Sequence, residues 1–160
     1  MVAPDASRQA TMLACIKSCP SPVWYISCSL GYKREEARQL TTLREPPLPI
    51  HGSRPQPKLR VQETTCSPAA AGLGIRVHPN MRVPETSIVA KAFLDPWAST
   101  HTGIETLESW ETSSGGSIGH GTVEVEAFRS DDQVLAIMHL VPDSAKFLGG
   151  TPAVRSRATS

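Results

Sequence analysis

Thr122-Val-Glu-Val-Glu-Ala-Phe128, then Arg129-Ser-Asp-Asp132, then Gln133-Val-Leu-Ala-Ile-Met-His-Leu-Val141, is the stretch that decides the fold. The first part alternates apolar and polar residues with period 2, the middle supplies turn chemistry, and the last part is almost wholly apolar. That succession predicts a β-hairpin over 122–141. With the turn closing at Ser130-Asp131, Ala127 faces Val134, Val125 faces Ala136 and Val123 faces Met138. One face is then purely apolar and has to be buried. The other carries Thr122, Glu124, Glu126 and Phe128 against Gln133, Leu135, Ile137 and His139. A one-residue slip exchanges the two faces, so burial of the apolar one selects the register.

Outward from the hairpin, the pattern breaks into short elements. Asp5 heads a helix that runs to Lys17 or Ser18 and is stopped by Pro20 and Pro22. Val23 to Leu30 alternates as a half-buried strand, with Trp24, Ile26, Cys28 and Leu30 on one face and Tyr25, Ser27 and Ser29 on the other. Lys33 to Arg44 reads as a short helix with Ala37, Leu40 and Leu43 inward. Leu59 to Thr65 reads as a short edge strand, Ser67 to Gly74 as loop, and Gly74 to His78 as a further short strand. Pro84 suits a helix's first turn, with Ile88, Val89, Ala92 and Phe93 at helical spacing before Asp95-Pro96 ends it. Thr102-Gly-Ile-Glu105 matches a capping box, which predicts another helix with Ile104, Leu107 and Trp110 inward and Glu105, Glu108 and Glu111 in water.

The fold class expected from these elements is α+β: a small antiparallel sheet centred on the 122–141 hairpin, a few short helices, and a large disordered or loop fraction. The organisation expected is a helix–strand–helix segment over 1–44, a proline-rich linker over 45–58, an α+β core over 59–150, and a polar tail over 151–160.

Composition bounds the function. Leu, Ile, Val and Phe number 34 of 160 residues, close to the ~20% below which disorder becomes the default. Sixteen basic residues against fifteen acidic ones leave no electrostatic footprint for nucleic acid or an anionic membrane. The longest apolar run is far short of the ~20 residues that span a bilayer, and no secretory leader is visible. A cytoplasmic protein is the expectation, with organelle targeting through residues 1–34 as the alternative. Arg outnumbers Lys eleven to five and Asn80 is the sole asparagine, the bias of a GC-rich coding sequence. An orphan reading frame without selected function, and without a cooperative fold, is therefore one of the readings carried forward.

Several constellations bear on chemistry. Gly115-Gly-Ser-Ile-Gly119 matches the G-x-S-x-G nucleophile elbow, and Asp131 or Asp132 and His139 follow in the order Ser, Asp, His. The elbow needs a strand before the serine and a helix after it, and here an acidic helix precedes and a strand follows. The pentapeptide reads as a loop. On the mixed face of the hairpin, His139 lies opposite Thr122 and diagonal to Glu124, where a carboxylate orients an imidazole for acid–base work. Cys15 and Cys19 stand four apart, but the second pair that a zinc site needs is missing. No metal and no cofactor is expected; the glycine-rich loop has no P-loop lysine.

Glu45 to Lys58 holds five prolines in fourteen residues, a composition that favours extended polyproline II. Within it, Pro46-Pro47-Leu48-Pro49 resembles the Pro-Pro-Leu-Pro ligands of one class of WW domains and also satisfies the PxxP pattern of SH3-type grooves. A preformed polyproline helix loses little entropy on docking. The leading expectation is a non-enzymatic interaction or adaptor-type protein that binds a WW or SH3-type module through Pro46, Pro47, Leu48 and Pro49. The alternative is a small α+β enzyme with His139 and Glu124 as its acid–base pair.

Overall fold

A computed structural model describes residues 4–42, 55–95, 97–112 and 115–142. In chain order the elements are α1 (Pro4–Ser18), β1 (Val23–Gly31), α2 (Arg34–Thr42), β2 (Lys58–Cys66), α3 (Pro68–Ala71), α4 (Ile88–Leu94), β3 (His101–Thr106), a 3-10 turn (Leu107–Ser109), β4 (Thr122–Ser130) and β5 (Gln133–Leu140). The strands form one antiparallel sheet in the order β2-β1-β5-β4-β3. The α+β class and the small antiparallel sheet are as the sequence predicts.

The hairpin is present, two residues out of the expected register. Ser130 pairs with Gln133, so Asp131-Asp132 closes the turn, with Asp131 at φ 54°. Aspartate tolerates the left-handed region better than most side chains, which lets this position close a two-residue loop. Ala127 therefore faces Ala136, Val125 faces Met138, and Val123 faces Leu140. A shift of two keeps every side chain on its own face. Val123, Val125, Ala127, Val134, Ala136 and Met138 are all fully buried.

β1 lies between β2 and β5, and it is buried on both sides. Trp24, Ile26 and Cys28 join the main core, while Val23 and Tyr25 pack under Ile16 of α1 with Met12, Leu13, Leu135 and Ile137. Burial of each large side chain contributes on the order of 1.5–3 kcal/mol. Ser67 ties β2 to the start of β1. Its hydroxyl donates to Ser21 O (2.7 Å) and accepts from Val23 N (3.2 Å) and Ala70 N (3.2 Å), which caps α3. The stretch expected as loop from Ser67 to Gly74 thus contains a short helix.

The main core lies between the sheet's inner face and α4, with Ile75, Val77, Met81 and Val83 below it. The segment from Gly74 to His78 is not the short strand expected. Its apolar residues are buried all the same, and the backbone that pairs with β2 comes a few residues later, where Val61 N donates to Met81 O and Val83 N to Leu59 O. Ala37 is exposed where the helical reading put it inward; among the described residues α2 contributes to neither apolar cluster and meets the sheet through the Glu36–Arg60 ion pair. Leu40 is half-buried, and Leu43 lies outside the described residues.

The largest departure is at 101–109. The capping-box reading predicted a helix, and the chain instead forms β3 followed by a single 3-10 turn. A helix cap is worth about 1 kcal/mol. Pairing with β4 satisfies a whole row of backbone groups, and the local signal loses to it. His101, Gly103 and Glu105 point to the inner face, and Thr102, Ile104 and Thr106 to the outer one.

Candidate functional site

The outer face of the hairpin is where the acid–base pair was expected. In the observed register Glu124 stands directly opposite His139, replacing the diagonal placement inferred from the other turn. Val141 N donates to Thr122 O (2.9 Å), so even-numbered residues of β4 form the hydrogen-bonded pairs with β5. Glu124 and His139 are one such pair, with Cα atoms about 5.5 Å apart in that geometry. Both side chains are exposed, and no hydrogen bond or ion pair joins them among the described residues. The scaffold brings the two groups together and leaves them in water.

Other carboxylate–histidine contacts were not foreseen. Glu108 Oε1 lies 3.2 Å from His120 Nδ1 and accepts from Gly121 N (3.3 Å), and Asp95 Oδ2 lies 3.7 Å from His101 Nε2. The two residues of the first pair stand twelve apart in sequence and are 45% and 75% exposed; no short-range sequence pattern marks them. Hydrogen bonds from backbone amides, its own first, and from His120 hold the Glu108 carboxyl below its ordinary value.

Glu105, expected in water, faces inward against α4. Its Oε1 accepts from the Ser87 hydroxyl (3.2 Å), the same hydroxyl that caps α4 by accepting from Val89 N. Burial raises the Glu105 carboxyl above its ordinary value, and the Ser87 bond offsets part of that rise.

Ser117, centre of the G-x-S-x-G pattern, sits in a loop with its hydroxyl bonded to Leu107 O (3.2 Å) and Gly119 O (2.6 Å). The carbonyls hold the hydroxyl proton and the oxygen accepts from Gly119 N (3.2 Å), so no base activates it. Asp131, Asp132 and His139 belong to the hairpin, and among the described residues no hydrogen bond joins them to Ser117. Cys28 is buried, Cys15 is exposed, and Cys19 and Cys66 are half-buried; all are free thiols. Among the described residues no group of three or more His, Cys, Asp or Glu gathers to hold a metal.

Pro46, Pro47, Leu48 and Pro49 lie outside the described residues. The flanking structure is clear: α2 ends at Thr42, and the chain rejoins the sheet at Lys58. Two depressions border that point of return. A charged cleft of about 760 Å³ is lined by Lys33, Glu36, Lys58, Arg60, Arg82 and Glu85 among others. Arg60, only 3% exposed, is held there by Gly31 O (3.3 Å), Asn80 O (3.1 Å) and the Glu36 carboxylate (3.8 Å), while Arg82 pairs with Glu85. The ion pairs Arg60–Glu36 and Arg82–Glu85 thus lie in the cleft. Beside it, an apolar groove of about 230 Å³ is walled by Leu30, Pro57, Leu59, Val83, Phe93 and Leu94. Leu30 is 50% and Leu94 76% exposed. Large apolar side chains gathered in this way are what a partner's surface covers.

No family model matches the chain, and no curated protein matches it. Among the described residues no helix is long and apolar enough to cross a membrane.

Proposed function

We propose that the protein is a non-enzymatic interaction protein that offers Pro46-Pro47-Leu48-Pro49 to a WW or SH3-type module. The observation that carries this reading is the apolar groove at the segment's return. Pro57, eight residues on from Pro49, lines it together with Leu30, Leu59, Phe93 and Leu94. The groove lies where the chain returns to the sheet after the motif. The proline ligand then supplies recognition at low entropic cost, and Leu30 and Leu94 add apolar area beyond the motif. The test is recovery of the full chain on immobilised WW and SH3 modules. Pro47→Ala with Pro49→Ala abolishes recovery in this account; recovery equal to that of the unchanged chain overturns it.

A second reading is favoured by the register of β4 and β5. Glu124 directly across from His139 supports a small enzyme in which His139 moves the proton and Glu124 orients its ring. The NMR titration curve of His139 decides it. A curve displaced by Glu124→Gln supports the pair, and superimposed curves remove it.

A further inference from the structure

The two margins of the sheet are finished differently. Beyond β2, the segment from Asn80 to Val83 returns backbone hydrogen bonds to Leu59 and Val61, so that margin is covered. At the other margin β3 has β4 on one side only. Leu107 N donates to Gly121 O (2.9 Å), which fixes the alternation along β3 and β4. Glu105, Gly103 and His101 form the hydrogen-bonded pairs with β4, and Thr102, Ile104 and Thr106 turn their N–H and C=O groups to the open side. Ser109 Oγ donates to Thr106 O (2.7 Å). Among the described residues nothing bonds the N–H or C=O of Thr102 or Ile104.

Edge strands are commonly blunted by a lysine, a proline, a bulge or an inward-pointing charge. Of these β3 has only the last, Glu105, whose carboxyl is taken up by Ser87 at the cap of α4. Its outer row is Thr102, Ile104, Thr106, which is uncharged and rich in β-branched side chains, and Ile104 is 70% exposed. The row is also a palindrome about Ile104. An antiparallel strand of the same sequence, related by a two-fold axis at that residue, sets Ile104 against Ile104 and Thr102 against Thr106 on both sides. These are the residues whose backbone groups face outward, so each such pair is a hydrogen-bonded one. On the inner face the same register sets Glu105 of each copy opposite Gly103 of the other, with the two Glu105 residues diagonal to each other and each carboxyl accepting from Ser87 at the cap of its own α4.

We infer that β3 is a self-association edge, and that its occupant is the β3 strand of a second copy of this chain, paired antiparallel about Ile104. The two sheets then run on as one, and Ile104 is covered by its own symmetry mate. A single strand pair buries an area at the low end for protein interfaces. The dimer is accordingly weak and concentration-dependent. The inference is independent of the proline segment.

Sedimentation equilibrium of the full chain, reduced, over a wide concentration range tests it. The unchanged chain shows a mass that rises toward the dimer. Ile104→Lys and Ile104→Glu, each checked for native secondary structure by circular dichroism, are monomeric alone because like charges meet at the axis. An equimolar mixture of the two variants recovers association, since Lys then faces Glu. A chain that stays monomeric throughout, a dimer that persists in Ile104→Lys, or a mixture that fails to associate overturns the inference.

Discussion

Ile88 of α4 lies so close over Gly103 of β3 that a Cβ at position 103 would stand 2.5 Å from Ile88 Cδ1 and 3.1 Å from its Cγ1. The helix packs onto the sheet margin at this point because β3 has no side chain there. Gly103→Ala forces Ile88 out of a well-packed site, at a cost of about 1–3 kcal/mol. Gly31→Ala is the control: its nearest neighbours would be at 3.5 and 3.7 Å, and it is expected to stay within about 0.5 kcal/mol of the unchanged chain. Urea denaturation of both variants checks the contrast.

Ser67 is fully buried and serves three backbone groups with one hydroxyl. Ser67→Ala removes the cap of α3 and leaves Val23 N–H without that acceptor. The expected loss is about 1–3 kcal/mol, the range for stranding a buried polar group. Ser67→Thr keeps the hydroxyl and recovers part of the loss wherever its added methyl is accommodated. The same denaturation measurement reads both.

Glu105 gives a pH signature whose sign is opposite to that of a carboxylate in a salt bridge. Burial raises its folded-state value, so the folded chain binds this proton more tightly than the unfolded one. Its contribution to stability is greatest at low pH, declines as pH rises from the unfolded value through the folded one, and is flat above. Glu105→Gln keeps an acceptor for Ser87 and removes the charge. The variant is therefore expected to gain stability relative to the unchanged chain as pH rises from about 4 toward neutrality, the range above an ordinary glutamate. A constant difference between the two across that range contradicts the assignment.

Much of this arrangement is written locally. The alternation of β4 and the apolar run of β5 identify the hairpin and its buried face, and β1 is legible from the same periodicity. The register was not legible to better than two residues. Ser130-Asp131 and Asp131-Asp132 both offer turn chemistry, and an even shift leaves the faces unchanged, so hydrophobic patterning does not choose between them. β3 was hidden for a different reason. Its capping-box residues carry a real local preference, and only the presence of β4 alongside makes the extended form better. The inward position of Glu105 follows from that strand and was invisible without it. On the functional side, the sequence brought Glu124 near His139, and the structure moves them directly opposite. The pairing of Glu108 with His120 depends on how a loop closes, which no pattern in the residues specifies.

Cys28 is buried, and burial pushes its thiol up to about 12. The thiolate is the reactive form, so at mildly alkaline pH Cys28 stays protonated and inert while the chain is folded. Exposed Cys15 is expected to alkylate readily under the same conditions. Peptide mass spectrometry after timed iodoacetamide treatment separates the two. Labelling of Cys28 should appear only when denaturant opens the sheet, and comparable rates at both positions contradict a core placement of β1.

The most direct test of the interaction reading is a ¹H–¹⁵N NMR titration of the full, reduced chain with an unlabelled WW module that binds Pro-Pro-Leu-Pro ligands. The account predicts saturable shifts at Leu48 and around the groove, at Leu30, Leu59, Phe93 and Leu94, with the amides of β4 and β5 unmoved. The Pro47→Ala, Pro49→Ala chain should show none of them. A spectrum that stays unchanged in an excess of the module, or shifts that persist in that variant, contradicts the claim that this protein works through its proline segment.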